Sequence, residues 1–185
     1  AGYIGTALID SLVRRDEVSE VVVYDNLSRA NPNLFICDPV APERVRFRRG
    51  DILDTRRLAT ELDGVDLVYH LAAKVSTPFA EADFHGLDQV NHWGCAELSY
   101  LLETKAVGRL VYLSSTSVYG ASEENVGLET TPQPRTAYGI SKFRGELMMQ
   151  RLETRMPVHI VRCANVYGYN KSMRFDAVIN RFMMD

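Results

Sequence analysis

Short, almost unbroken apolar runs alternate along this chain with longer stretches whose apolar residues recur every three or four positions. Val21-Val22-Val23-Tyr24 is a β-branched run that ends at Asp25-Asn26, the signature of a buried strand with a turn behind it. Val45 to Arg48 alternates like a strand and stops at Gly50-Asp51, and Val65 to Ala73 is a third run with little polar interruption. Arg109 to Ser114 and Val158 to Val161 complete the predicted strands. Helices are predicted from Gly5 to Arg15, where Ile4, Leu8, Leu12 and Val13 share a face, and from Asp54 to Leu62, with Asp54 or Thr55 as cap. A long helix is expected over Asp88–Lys105, with Val90, Cys95, Leu98, Leu101 and Leu102 apolar and Trp93 and Cys95 packing. Two more are expected over Tyr138–Glu153 and Ala177–Met184, while Asn26 to Glu43, polar and with three prolines, reads as loop with room for a short helical turn.

Strands this apolar between amphipathic helices imply an α/β fold, a doubly wound parallel sheet of the Rossmann type covered on both faces. Such sheets bind ligands outside the carboxyl ends of their strands. The positions to inspect are therefore Asp25, Asp51, Ala72, Ser114 and Asn165.

The 185 residues carry 46% hydrophobic and 24% charged residues with a net charge of −3. That composition excludes a disordered, collagenous or disulfide-framework chain and gives no general pull towards nucleic acid or anionic membrane. Three cysteines (Cys37, Cys95 and Cys163) make no even framework, which points to a reducing, cytoplasmic setting. No apolar run reaches the roughly 18 residues that span a bilayer. The histidines (His70, His85, His92, His159) lack metal-ligand spacing, so no metal is expected. Arg44, Arg46, Arg48 and Arg49 read as a solvated strand edge.

Two clusters carry chemistry. Gly2-x-x-Gly5 opens a helix, and a helix N-terminus offers unpaired amides and a positive dipole end to a pyrophosphate. Asp25 follows about 20 residues on, where a carboxylate binds ribose hydroxyls and repels a 2′-phosphate, favouring NAD over NADP. A turn-forming Asx residue explains Asp25 equally well. Further along, Tyr138 and Lys142 are spaced i, i+4, so both reach one ligand from one helix face. A phenol is a poor base at neutral pH unless a nearby cation favours the phenolate. The hydroxyls of Leu113-Ser114-Ser115-Thr116-Ser117 stand directly after a core strand.

In these motifs the chain resembles the extended short-chain dehydrogenases/reductases, the NAD-dependent sugar-nucleotide epimerase/dehydratase group. AGYIG looks like the end of that family's glycine-rich turn, and DNLS at Asp25–Ser28 like its second-strand ending. Gly50-Asp51-Ile52, His70-Leu71-Ala72-Ala73, Asn91-x-x-Gly94, SSTSVYG, YGISK and RCANVYG follow in order. The resemblance implies Tyr138 as acid/base, Lys142 as its electrostatic partner and Ser115 as the catalytic hydroxyl that also meets substrate. It implies cofactor contacts from Gly2, Tyr3, Ile4, Gly5, Asp25, Asn26, Asp51, Ile52, Leu71, Ala72, Ala73, Asn91 and Ser114, besides Tyr138 and Lys142. Asn165 is implied at the substrate sugar or its diphosphate, and homodimerisation through the two long helices is the family's habit.

In the family, dehydratases place acids directly after the catalytic Ser or Thr, since elimination needs a general acid and a base. Thr116 and Ser117 stand there instead. The sequence therefore fits an epimerase with a nucleotide-sugar substrate, a UDP-sugar 4-epimerase in type. A dehydratase, a reductase or other hydroxy-dehydrogenase, and a non-catalytic NAD-sensing module are the alternatives. A turn lacking its preceding strand and first glycine further predicts that residues 1–168 are most of an NAD-binding domain, with 169–185 beginning a substrate lobe. Such a stretch by itself is expected to bind NAD poorly.

Overall fold

The computed structural model describes residues 1–31, 33–36, 41–75, 83–122 and 125–183. Cys37 and Met184 lie outside the described residues. The chain packs as two units, residues 1–51 with 165–185, and residues 52–164.

In the first unit, α1 (Tyr3–Leu12) begins two residues before the predicted start, so Gly5 lies within its first turn. β1 (Val21–Asp25) pairs in parallel with β2 (Val45–Arg49), Val23 opposite Phe47. Ile9 of α1 and Val13, which caps it, bury against Val23 and Leu34, the latter on the short helix α2 (Asn33–Ile36) in the polar stretch. Each such side chain contributes roughly 1.5–3 kcal/mol when fully buried. Arg44 is more than a solvated edge residue: its guanidinium donates to the carbonyls of Val13, at the end of α1, and of Arg15, in the turn that follows.

The second unit holds α3 (Thr55–Glu61), capped by Asp54, and a parallel sheet in the order β3-β4-β5, comprising Leu67–His70, Arg109–Ser115 and Val158–Cys163. The described strands thus form two separate parallel sheets. β4 is central, with Leu110, Tyr112 and Ser114 buried, and α6 (Ala137–Gln150) packs against it. On alternate positions of β5, His159 and Val161 are exposed.

The predicted long helix is present and continuous from Phe84 to Leu102, with one wider turn inside it. It runs as α4 (Phe84–Asp88), one π-helical turn over Gln89–Trp93, and α5 (Gly94–Leu102). The wider turn brings Asn91 wholly inside, and such turns gather at functional sites. Cys95 is buried as expected, whereas Trp93 is half exposed. α7 (Val178–Phe182) ends the described chain within the first unit.

Candidate active site

The end of β4 and the start of α6 meet in the second unit. Ser115 Oγ accepts from Ser117 N at 3.2 Å and donates to Ser117 Oγ at 3.1 Å, which caps the 3-10 turn Thr116–Tyr119. α6 is capped by Thr136, whose Oγ1 accepts from Gly139 N at 3.0 Å. A β-carbon on Gly139 would lie 2.5 Å from the Ser117 carbonyl oxygen, so only glycine lets the Ser115 turn press on the first turn of α6. Tyr138 is half-buried beside that contact.

Lys142, one turn on, is 2% exposed. Its Nζ donates to the Leu113 carbonyl at 2.6 Å and stands 4.3 Å from the centre of the Tyr112 ring. Burial pulls its pKa down to about 8, opposed by the neighbouring Cys95, Glu146 and Cys163. Burial, with Cys95 nearby, keeps Tyr112 protonated. The Cys95 thiol is pushed up to about 11 and that of Cys163 is also raised, both chiefly by burial, so neither offers a thiolate at neutral pH. Behind Lys142, His70 Nε2 lies 3.1 Å from Cys95 Sγ and its ring stacks on Tyr112. Among the described residues the buried Ser114 Oγ has no hydrogen-bond partner.

Asn91 is a brace. Its Nδ2 donates to the Lys74 carbonyl at 2.8 Å and to Ser141 Oγ at 3.0 Å, and its Oδ1 accepts from Lys74 N at 2.8 Å. It joins the loop after β3, which carries Leu71, Ala72 and Ala73, to α6. Ile52 is buried, and its side chain lies where a β-carbon on Gly94 would fall.

The first unit gathers the other predicted residues. Gly2 caps α1 without a side chain, and a β-carbon there would meet nothing within 4 Å. Thr6 N is the first helical amide to find its carbonyl, that of Gly2, so the amides of Tyr3, Ile4 and Gly5 have no intrahelical acceptor. A cavity of about 340 Å³ opens beside Gly2 and Tyr3, with Arg29 and Arg174 in its wall. Asp25 forms an Asx turn, Oδ1 accepting from Leu27 N at 2.7 Å. Asn26 Nδ2 donates to Asp51 Oδ2 at 2.8 Å. Asn165 is exposed.

Sequence reasoning missed two sets of contacts. Tyr3 Oη donates to the Gly168 carbonyl at 2.5 Å and Asn170 Nδ2 to the Tyr3 carbonyl at 2.6 Å, tying the end of RCANVYG and the residues after it to α1. Arg162 forks onto the buried Glu146 and donates to Tyr119 Oη. The spacing of Tyr138, Lys142 and Glu146, i, i+4 and i+8 on one helix face, was the available signal for the second set.

Residues 1–184 match the model of the NAD dependent epimerase/dehydratase family. The dTDP-D-glucose 4,6-dehydratase of Mus musculus is 31% identical over 174 residues, covering 91% of this chain and 49% of that protein. The crystal structure of UDP-glucuronic acid 4-epimerase from Bacillus cereus in complex with NAD aligns with a TM-score of 0.81 at 26% identity, over 99% of this chain and 61% of that one. DesIV, a dTDP-glucose 4,6-dehydratase from Streptomyces venezuelae with NAD and TYD bound, gives 0.84 at 30% identity, over 100% and 59%. The chain spans about half the length of the curated relatives it matches.

Proposed function

Because the chain belongs to the NAD-dependent epimerase/dehydratase family, we propose that it forms the NAD-binding part of an epimerase acting on a nucleotide-sugar. The unpaired first-turn amides of α1, the open space at Gly2 and Arg29 in the adjoining wall fit a dinucleotide's pyrophosphate, while Arg174 in that wall is forked onto Asp176. Asp25 would take the adenosine ribose and the unpartnered Ser114 Oγ a further cofactor group. When bound, NAD supplies a reversible acceptor for hydride from a sugar carbon. Tyr138 takes the proton of the sugar hydroxyl and later returns it. The Lys142 ammonium, one turn away, favours its phenolate, and Ser115 orients the same hydroxyl. Asn165 belongs to the substrate side, residues 169–185 to the beginning of the substrate lobe.

The observation that carries an epimerase is the turn after Ser115: Thr116 and Ser117 occupy it, and neither hydroxyl can expel a sugar hydroxyl as a general acid at neutral pH. The test is incubation of the full-length protein with UDP-galactose and related nucleotide sugars. The expected product is the epimer with no net change in reduced-nicotinamide absorbance. A 4-keto-6-deoxy product would establish the second reading, a dehydratase, which the mouse and Streptomyces relatives favour. Tyr138→Phe is expected to abolish turnover and leave NAD binding intact.

Trp93, Tyr100 and Leu147, all exposed on the π-helical turn, α5 and α6, support a homodimer through these helices. Among the described residues no helix is long and apolar enough to cross a membrane, and the cytoplasmic assignment rests on the cysteine usage.

A further inference from the structure

Glu146 has no solvent exposure, and the helix that carries it also carries Tyr138 and Lys142. An ionised carboxylate in a protein interior costs several kcal/mol unless it is well partnered. Its partner is Arg162, whose Nε donates to Oε1 at 3.0 Å and Nη2 to Oε2 at 2.8 Å. The remaining Nη1 donates to Tyr119 Oη at 2.9 Å, with the guanidinium carbon 4.8 Å from the centre of that ring. Tyr119 closes the 3-10 turn that Ser115 caps, and Arg162 sits opposite Ser114 in the β4–β5 ladder.

One guanidinium therefore ties three elements: the helix with Tyr138 and Lys142, the end of β5, and the turn that holds Ser115. The strands are fixed to each other by their ladder, but α6 shares no backbone ladder with them. Its position along the sheet is set by contacts at Gly139, Lys142, Gly145 and Glu146. Apolar packing allows a helix to slide by fractions of an ångström; a forked ion pair with a third fixed bond does not. A buried pair of this kind is a poor source of stability, since a well-packed apolar replacement is often neutral or better. Its geometric consequence is what distinguishes it.

We propose that Glu146, Arg162 and Tyr119 are positioning residues that set the spacing between the Ser115 turn and the Tyr138–Lys142 face of α6. The proposal rests on the catalytic roles assigned above to Ser115, Tyr138 and Lys142.

Tyr119→Phe removes only the acceptor of Nη1 and keeps the ring and the Glu146 pair. The expected result in the full-length enzyme is a kcat lowered about tenfold with KM within about twofold. The double variant Glu146→Leu with Arg162→Met supplies the second arm: a merely structural pair would leave kcat intact once stability is restored, whereas a positioning pair leaves a stable protein with kcat lowered at least about tenfold. Amide exchange reads the geometry without substrate. In Tyr119→Phe, exchange at residues 116–120 and 137–142 should rise about tenfold while β3 stays protected. Unchanged exchange in both segments, or a uniform rise across residues 52–164, overturns the proposal. A wild-type protein that turns over no nucleotide-sugar sinks the functional reading instead, and the exchange result still decides the positioning one.

Discussion

The ammonium of Lys142 stands 4.3 Å from the centre of the Tyr112 ring, buried and bonded to the carbonyl of Leu113. The other groups that face it are Cys95 from α5, Glu146 from α6, Cys163 from β5 and His70 from β3. Burial dominates and brings its pKa to about 8.

If the ammonium favours the Tyr138 phenolate, kcat/KM should fall as pH rises through about 8, because the free enzyme loses that charge. The Glu146 carboxylate raises the lysine's pKa, so Glu146→Gln should move this limb to lower pH. Profiles of kcat/KM against pH for both proteins check it. A limb at the same pH in the variant assigns the titration to another group.

Gly2→Ala separates folding from cofactor binding. Gly2 has φ −90° and ψ −172°, which alanine adopts readily, and its β-carbon would meet no protein atom within 4 Å. Stability should change by less than about 0.5 kcal/mol. That methyl group would occupy the space proposed for the pyrophosphate, so NAD affinity of the full-length enzyme should fall at least about tenfold. Urea unfolding and NAD titration measure the two separately, and unchanged affinity would remove the cradle from this helix start.

The strand runs at Val21, Arg109 and Val158 and the helix after Thr136 were legible because each shows its own period and local cap. The placement of Ser115 at a strand end and of Tyr138 and Lys142 one turn apart on a helix was legible, because each follows from a local pattern. The π-helical turn was not, since an i→i+5 turn keeps apolar residues at much the same spacing and the bonds that accompany it, those of Asn91 to Lys74 and Ser141, are tertiary. Arg162 reads as one charge in a strand until the buried Glu146 gives it a partner 16 residues away. Trp93 reads as core by type, yet the wider turn leaves it half exposed.

His70 gives the second unit an acid sensitivity with a definite sign. Burial, aided by the Lys142 charge, lowers its pKa from 6.5 to about 3. Above pH 6.5 the imidazole is neutral in both folded and unfolded chains, and its contribution is fully present. As pH falls towards 3 the unfolded chain takes up a proton that the folded one refuses, so stability drops by up to about 1.4 kcal/mol per pH unit. Urea unfolding between pH 7 and about 4 should show a shallower slope for His70→Leu than for the wild type, whatever the offset at neutral pH. Parallel slopes would place the acid sensitivity on the carboxylates.

Gly145 tests how closely α6 approaches the elements it packs against. A β-carbon there would lie 2.5 Å from the Asn91 carbonyl oxygen, 2.5 Å from Tyr112 Oη and 2.9 Å from Cys95 Sγ. Two of these partners are held: Asn91 through its backbone in the π-helical turn, and Tyr112 in the central strand. Neither yields like the end of a flexible side chain, so Gly145→Ala should cost about 1–3 kcal/mol. The clash falls on the Tyr112 hydroxyl, and Lys142 rests over that ring, so the same variant should also lower kcat. Gly127→Ala is the matched control, since a β-carbon there meets nothing within 4 Å and the position needs no left-handed backbone. Its unfolding midpoint should match the wild type. Equal midpoints for both variants would show that α6 can move away from Asn91 and Tyr112 without loss, and would weaken every argument that fixes Lys142 by that contact.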